Sequence, residues 1–178
     1  MARDTMRVVG TPAEALVHAL RARGASVATA ESLTGGRLAA RLTDVPGSSH
    51  VFVGGVVSYQ TQVKVEVLGV PQDVVDRDGV VSAPCARAMA EGVRRLVGAD
   101  YALSTTGVAG PERQEDKPVG TVYVGLAGPE ATRVVALELG GGRGEIQDAT
   151  VLAALAALTE ELDGVSAAGR PAEDSGLG

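Results

Sequence analysis

Aromatic residues are scarce in this 178-residue chain, which holds one Phe, three Tyr and no Trp. Burial must therefore rest on Val, Leu and Ala, and a single-strand nucleic-acid binder that stacks bases on rings is excluded. Cysteine occurs once, as Cys85, which excludes a disulfide framework and any Cys-cluster metal site. Two histidines, His18 and His50, leave little for a histidine-based metal centre, and no pair of carboxylates has a metal-ligand spacing, so neither metal nor cofactor is expected. Positive charge is also short. Sixteen Lys and Arg against 22 Asp and Glu give a net charge of −6, the reverse of the clustered basic surface that duplex binding needs. No apolar run approaches the about 20 residues of a membrane helix. Residues 45–63 are uncharged but contain Pro46, Ser48, Ser49, His50, Gln60 and Gln62. The first ten residues carry charges where a signal peptide needs an apolar stretch. The expectation is a soluble, cytoplasmic protein with no nucleic-acid or membrane partner.

What is present is ordinary globular composition, 45% hydrophobic and 21% charged. It predicts one domain over residues 1–163 and a small, polar, disordered tail over 164–178. Thr11, Pro12 and Glu14 form a capping box opening a helix that Gly24 closes. Residues 26–30 read as a strand leading into ESLTGG, and 37–45 as a helix broken by Pro46-Gly47. VFVGGVVSY, 51–59, reads as a buried strand whose glycine pair marks a bulge or a close backbone approach. Residues 61–70 fit a short helix or an alternating strand equally. Ser82 caps a helix over 83–97, and 100–106 is a further strand. Strands over 119–127 and 131–139 flank Gly128-Pro129 as a hairpin, and a glycine loop then leads into a last helix. This order predicts an α/β class, a three-layer α/β/α sandwich with a mixed, mainly parallel sheet and a C-terminal antiparallel hairpin. Gly- and Val-rich strands at a sheet edge are compatible with a homodimer or a higher homo-oligomer.

Two loops follow predicted strands and combine glycine with hydroxyls: residues 30–36, AESLTGG, and 105–111, TTGVAGP. In open α/β sheets ligands settle at such strand ends, where glycines let backbone N–H groups reach an anion. The alternative is that each is a tight turn needing positive φ. Neither a Walker-type P-loop nor a strand-bounded dinucleotide fingerprint is present. Of the sixteen basic residues only Lys64 and Lys117 are lysine. A lysine kept in an arginine-rich chain marks either a place where loss of the proton matters, because arginine does not release its own, or a surface lysine left there by chance. With Tyr59 five residues before Lys64, the set Ser32, Tyr59 and Lys64 suggests a serine nucleophile activated without histidine. A strict S-x-x-K motif is absent, since Thr61 stands where its serine would be. Cys85 reads as packing and His18 as a surface residue.

The strings ATAESLTGG (28–36), VPGSSHVFVGGVVSY (45–59), Lys64, TTGVAGP (105–111) and KPVGTVYVG (117–125) resemble the CinA C-terminal domain family over about residues 10–160. The resemblance implies an α/β/α sandwich and, in its stand-alone form, an amidase. Such an enzyme converts nicotinamide mononucleotide to nicotinate mononucleotide and ammonia in pyridine-nucleotide recycling. It implies Ser32 as nucleophile, Lys64 as base and Tyr59 as an assisting hydroxyl. Thr34, Gly35, Gly36, Thr106, Gly107 and Arg143 would lie toward the nucleotide substrate, and Lys117 would support it or a neighbouring loop. Three features depart from the family pattern, one of them a loop after GVAGP that is about one residue shorter. Glu112-Arg113-Gln114 replaces an acidic residue followed by glycines, and Gln147 stands four residues after Arg143 where the family tends toward a second arginine. Two other classes of function stay open at this point, a nucleotide-holding module without turnover and an interaction domain.

Overall fold

The computed structural model describes residues 10–168. Helix α1 (Pro12–Arg23) starts at the predicted capping box: Thr11 Oγ1 accepts the Glu14 N–H, and the Glu14 carboxylate accepts the Thr11 N–H. Its buried stripe is Ala13, Leu16, Val17 and Leu20, and His18 lies exposed on the far side. Strand β1 (Val27–Glu31) is buried throughout and runs into α2 (Arg37–Thr43). A single 3-10 turn (Ser48–His50) precedes β2 (Phe52–Val57). Helices α3 (Thr61–Glu66), α4 (Gln72–Asp78) and α5 (Ala83–Val97) come next, so 61–66 is helix and not strand. Strand β3 (Tyr101–Gly107), the hairpin β4 (Thr121–Ala127) and β5 (Thr132–Glu138), and α6 (Arg143–Ala168) complete the order. The last helix overruns the boundary expected at 163, because its regular turns continue through Gly164. The remainder of the expected tail lies outside the described residues.

The sheet order is β2-β1-β3-β4-β5. β1 pairs in parallel with β2 and β3, and β4 pairs antiparallel with β3 and β5, so β4 alone runs against the rest. Helices α1, α2 and α6 cover one face, where Leu16, Leu38, Leu103, Val124 and Leu155 interlock. The other face receives α5 and the segment before it. It is built from small residues, Ala28, Ala30, Ala102, Ser104, Gly125 and Ala127, which bring α5 close to the strands. The Ser104 hydroxyl reaches Ala86 O at 2.6 Å, and a Cβ on Gly125 would stand 2.5 Å from that same carbonyl. The result is the three-layer sandwich with a mixed sheet.

Strand β2 corrects one expectation. It is the sheet's edge, with one neighbour, and its residues alternate between half-buried and exposed. An uncharged apolar run does not distinguish an edge from a centre. The close approach expected of the glycine pair is found at Gly55, while the bulge stands beside the pair, at Val53. The register with β1 slips between Val27 and Ala28, and a Cβ on Gly55 would lie 2.2 Å from Thr29 Oγ1 and 2.9 Å from Thr29 O.

The place of the site is set by topology. The β1-to-β2 connection passes through α2 on one face, and the β2-to-β3 connection through α3, α4 and α5 on the other. The chain therefore parts at the carboxyl ends of β1 and β3, which is where open α/β sheets bind ligands.

Candidate active site

Ser32 is the first residue past β1. Its N–H donates to Thr105 O on β3 at 2.9 Å, which fastens the turn to the neighbouring strand. Lys64, on α3, comes up from behind it. Although lysine is among the residues least often buried, Lys64 is 1% exposed, and its Nζ lies 2.9 Å from Ser32 Oγ. The other oxygens around that amine are main-chain carbonyls, Ser58 O at 2.7 Å and Tyr59 O at 3.5 Å. Among the described residues no carboxylate lies within ion-pair distance of it. Burial holds the Lys64 pKa below its ordinary 10.5, opposed by the smaller field of the Glu115 carboxylate. The Cys85 thiol is itself pushed up to about 11, chiefly by burial, so it stays neutral and packs as the sequence suggests. A buried lysine held toward its neutral form against a serine hydroxyl is a base and a nucleophile in contact.

In front of Ser32 lies a cavity of about 100 Å³, lined among others by Leu33, Tyr59, Thr106, Gly107, Glu112 and Arg143. This is small beside the roughly 300–1,000 Å³ of sites that enclose a drug-sized ligand. A planar group the size of a carboxamide can enter, while a larger ligand extends over the rim. Val80 and Val81 form the opposite wall. All four polar groups of that dipeptide are held. The Glu115 carboxylate accepts both N–H groups at 3.0 Å, the Thr106 hydroxyl donates to Val80 O at 2.6 Å, and the Lys117 ammonium donates to Val81 O. Lys117 therefore supports a neighbouring loop, one of the two roles open to it.

Not every expected site residue faces the cavity. Thr34, Gly35 and Gly36 lie behind Ser32 and do not line it. The Thr34 hydroxyl is buried between Glu31 and Thr105, Gly35 N–H goes to Ser32 O, and both glycines take positive φ, 57° and 99°. The tight-turn reading of this loop is the one the geometry supports. The N-terminus of α2 is also occupied from within: Glu31 accepts the N–H groups of Leu38 at 2.8 Å and Ala39 at 3.0 Å. An incoming anion finds no room there. Tyr59 lines the cavity and is 58% exposed; its hydroxyl accepts from Arg143 at 3.3 Å, and its contact with Lys64 is through its carbonyl. Arg143, at the start of α6, is the cation on the rim. Gln147, one turn on, is buried and donates to Leu33 O at 2.7 Å, bracing the turn from the far side.

Glu31 and Glu115 were not singled out from the sequence. Glu31 accepts from N–H groups seven and eight residues on and Glu115 from N–H groups 34 and 35 residues back, spacings that no local pattern marks. Among the described residues, no cluster of His, Cys, Asp or Glu could hold a metal, and no helix is long and apolar enough to cross a membrane.

Comparison with known proteins gives concordant results. The model of the CinA C-terminal domain matches residues 10–162. A CinA-like protein of Frankia casuarinae is 52% identical over 143 residues, 80% of this chain and 33% of that protein. A putative competence-damage inducible protein of Caldanaerobacter subterraneus is 48% identical over 152 residues, 85% of this chain and 37% of that one. The chain thus spans about a third of the length of these curated relatives. Among solved structures, a competence-damaged protein superfamily member from Klebsiella pneumoniae superposes with a TM-score of 0.84 at 34% identity, covering 86% of this chain and 96% of that one. The competence/damage inducible protein CihA of Agrobacterium tumefaciens gives 0.79 at 34% identity, covering 89% and 99%.

Proposed function

The chain belongs to the CinA C-terminal domain family, and on that premise we propose that it is an amidohydrolase that deamidates nicotinamide mononucleotide to nicotinate mononucleotide and ammonia. The observation that carries the reading is the 2.9 Å approach of a desolvated, carboxylate-free Lys64 amine to Ser32 Oγ at the mouth of a cavity. The neutral amine takes the Ser32 proton as Oγ attacks the carboxamide carbon. The resulting ammonium returns that proton to the departing nitrogen, releasing ammonia and leaving an ester on Ser32. Water, deprotonated by the same amine, then cleaves the ester to give the carboxylate and free serine.

The negative oxygen of each tetrahedral intermediate needs donors. Leu33, the residue after the nucleophile, and Ala109 on the facing loop line the cavity, and their N–H groups are the candidates. The small cavity suits the carboxamide group, with the rest of the nucleotide extending over the rim toward Arg143 and Tyr59. Ammonia release from nicotinamide mononucleotide tests the reading. Ser32→Ala and Lys64→Arg are each expected to lose about 1,000-fold or more in kcat, the upper range for a general base. Unchanged turnover in either variant removes that residue from the chemistry. Binding of the nucleotide by the wild type with no product over long incubation makes the protein a nucleotide-holding module instead.

A further inference from the structure

Glu31 is 1% exposed, yet it accepts only from neutral groups, and it sits between the two halves of the site. Its carboxylate takes three hydrogen bonds, from the Thr34 hydroxyl at 2.7 Å, Leu38 N–H at 2.8 Å and Ala39 N–H at 3.0 Å. Together these span the turn that carries Ser32 and anchor it on the first turn of α2. Thr34 has a single hydroxyl hydrogen, which goes to Glu31, so the 2.8 Å contact with Thr105 is donated by Thr105. The turn is thereby pinned to β3 by a side chain as well as by the Ser32 N–H. The main-chain carbonyl of Glu31 points the other way. It accepts the Ser58 N–H at 2.8 Å, and Ser58 O in turn holds Lys64 Nζ at 2.7 Å. One residue therefore sets the nucleophile through its side chain and the lysine through its backbone.

A cap alone does not need this arrangement. Helices are ordinarily capped by the residue at their own N-terminus, whereas α2 has Gly36 there and is capped from the preceding strand. The carboxylate reaches back over Ser32 to do so.

We propose that Glu31 is the positioning residue of the Ser32–Lys64 pair, holding Oγ and Nζ at reacting distance without touching substrate. The proposal rests on the amidohydrolase reading, and its test is built to separate the two. Glu31→Gln keeps the shape but puts an NH2 group, which cannot accept, against one of three donors. Thr34→Val removes one donor, and Thr34→Ser keeps it. Two readouts are taken on the purified chain. One is turnover of nicotinamide mononucleotide. The other is the rate at which an alkyl fluorophosphonate captures Ser32, its oxygen bonding to phosphorus as fluoride leaves, which reports nucleophile readiness whatever the substrate. Misplacement by about 1 Å can cost about 100-fold. Glu31→Gln and Thr34→Val are expected to lose about that much in kcat and in capture rate, with KM within about twofold, and Thr34→Ser is expected to recover most of it. Full capture and turnover in Glu31→Gln, or a loss lying wholly in KM, overturns the proposal. Capture without turnover in the wild type sinks the substrate assignment alone and leaves the capture ratios to judge Glu31. Neither capture nor turnover in the wild type refutes both.

Discussion

An uncharged primary amine has two N–H bonds and one lone pair, and three oxygens surround Lys64 Nζ. Two of them, Ser58 O and Tyr59 O, are carbonyls and can only accept, so they take both N–H bonds. In that form the lone pair is left for the third, the Ser32 hydroxyl 2.9 Å away, whose proton it can accept. An ammonium in the same place would use all three directions as donor and leave Ser32 inert. The proposed chemistry thus depends on the neutral form, and burial favours it by lowering the Lys64 pKa. The same shift fixes the sign of the stability effect. Between the lowered folded value and the ordinary 10.5, the unfolded chain binds a proton that the folded chain does not, so stability rises with pH across that window. Below both values the full penalty of a buried ammonium applies. Activity is expected to climb with pH along a limb whose midpoint lies below 10.5, and Lys64→Arg is expected to stay low at every pH. In thermal melts, the wild type is expected to gain on Lys64→Met as pH is raised from about 7 to about 10. A limb centred at or above the ordinary lysine value, or a melting difference that ignores pH, would show that the amine is not desolvated.

At the scale of elements, the lysine is only as well placed as α3, which is six residues long and too short to persist alone. Its support comes from residues 68–70, just beyond its end. Val70 N–H returns to Lys64 O at 3.0 Å, Leu68 and Val70 are buried in the α5 face, and Leu68 O lies against Gly92 of α5. In an exposed helix, Gly→Ala stabilises by about 1 kcal/mol. At Gly92 the new Cβ would stand 1.9 Å from Leu68 O, a backbone atom that cannot swing aside. Overpacking, about 1–3 kcal/mol, wins. Gly92→Ala is therefore expected to lower the melting temperature and, by displacing the α3 connection, to lower kcat as well; a stabilised, fully active variant would contradict this packing. The same elements show what could be read beforehand. Helix α5 was legible to the residue because Ser82, Pro84 and Gly98 mark its ends. Helix α3 was not, because its one buried residue is Lys64, and a lysine at the buried position hides the helical period from any apolar pattern. Helix α4 buries no residue and so leaves no stripe to detect.

At the scale of the molecule, the parting of the chain between β1 and β3 brings together five distant segments: the Ser32 turn, the Lys64 helix, the wall at 79–82, the loop after β3 and the start of α6. Ser32, Lys64, Thr106, Gly107 and Arg143 could be gathered from sequence because loop composition, lysine scarcity and family resemblance marked them. The groups that hold those segments in register could not, since they are carboxylates bound to backbone N–H groups at spacings that no motif marks. Glu115 is the clearest case. It and Asp116 both sit at positive φ, 52° and 59°, a conformation costing each about 1–2 kcal/mol, and the strain is sustained by what the carboxylate then reaches. Glu115 is the acceptor for both N–H groups of the cavity wall, and it approaches over Gly79, where a Cβ would stand 2.4 Å from its oxygen. The wall does not carry the Ser32–Lys64 pair, so loosening it should weaken substrate binding while leaving the reacting groups in place. Glu115→Gln, which replaces one acceptor by a donor, is expected to raise KM about tenfold with kcat within about threefold. It is also expected to lower the melting temperature by about 2–4 °C, the equivalent of about 1 kcal/mol in a chain of this size. The negative charge of Glu115 raises the Lys64 pKa slightly, which gives a second check: its removal should move the activity limb toward lower pH, not higher. A kcat collapse with KM intact would instead place Glu115 among the groups that serve the chemistry.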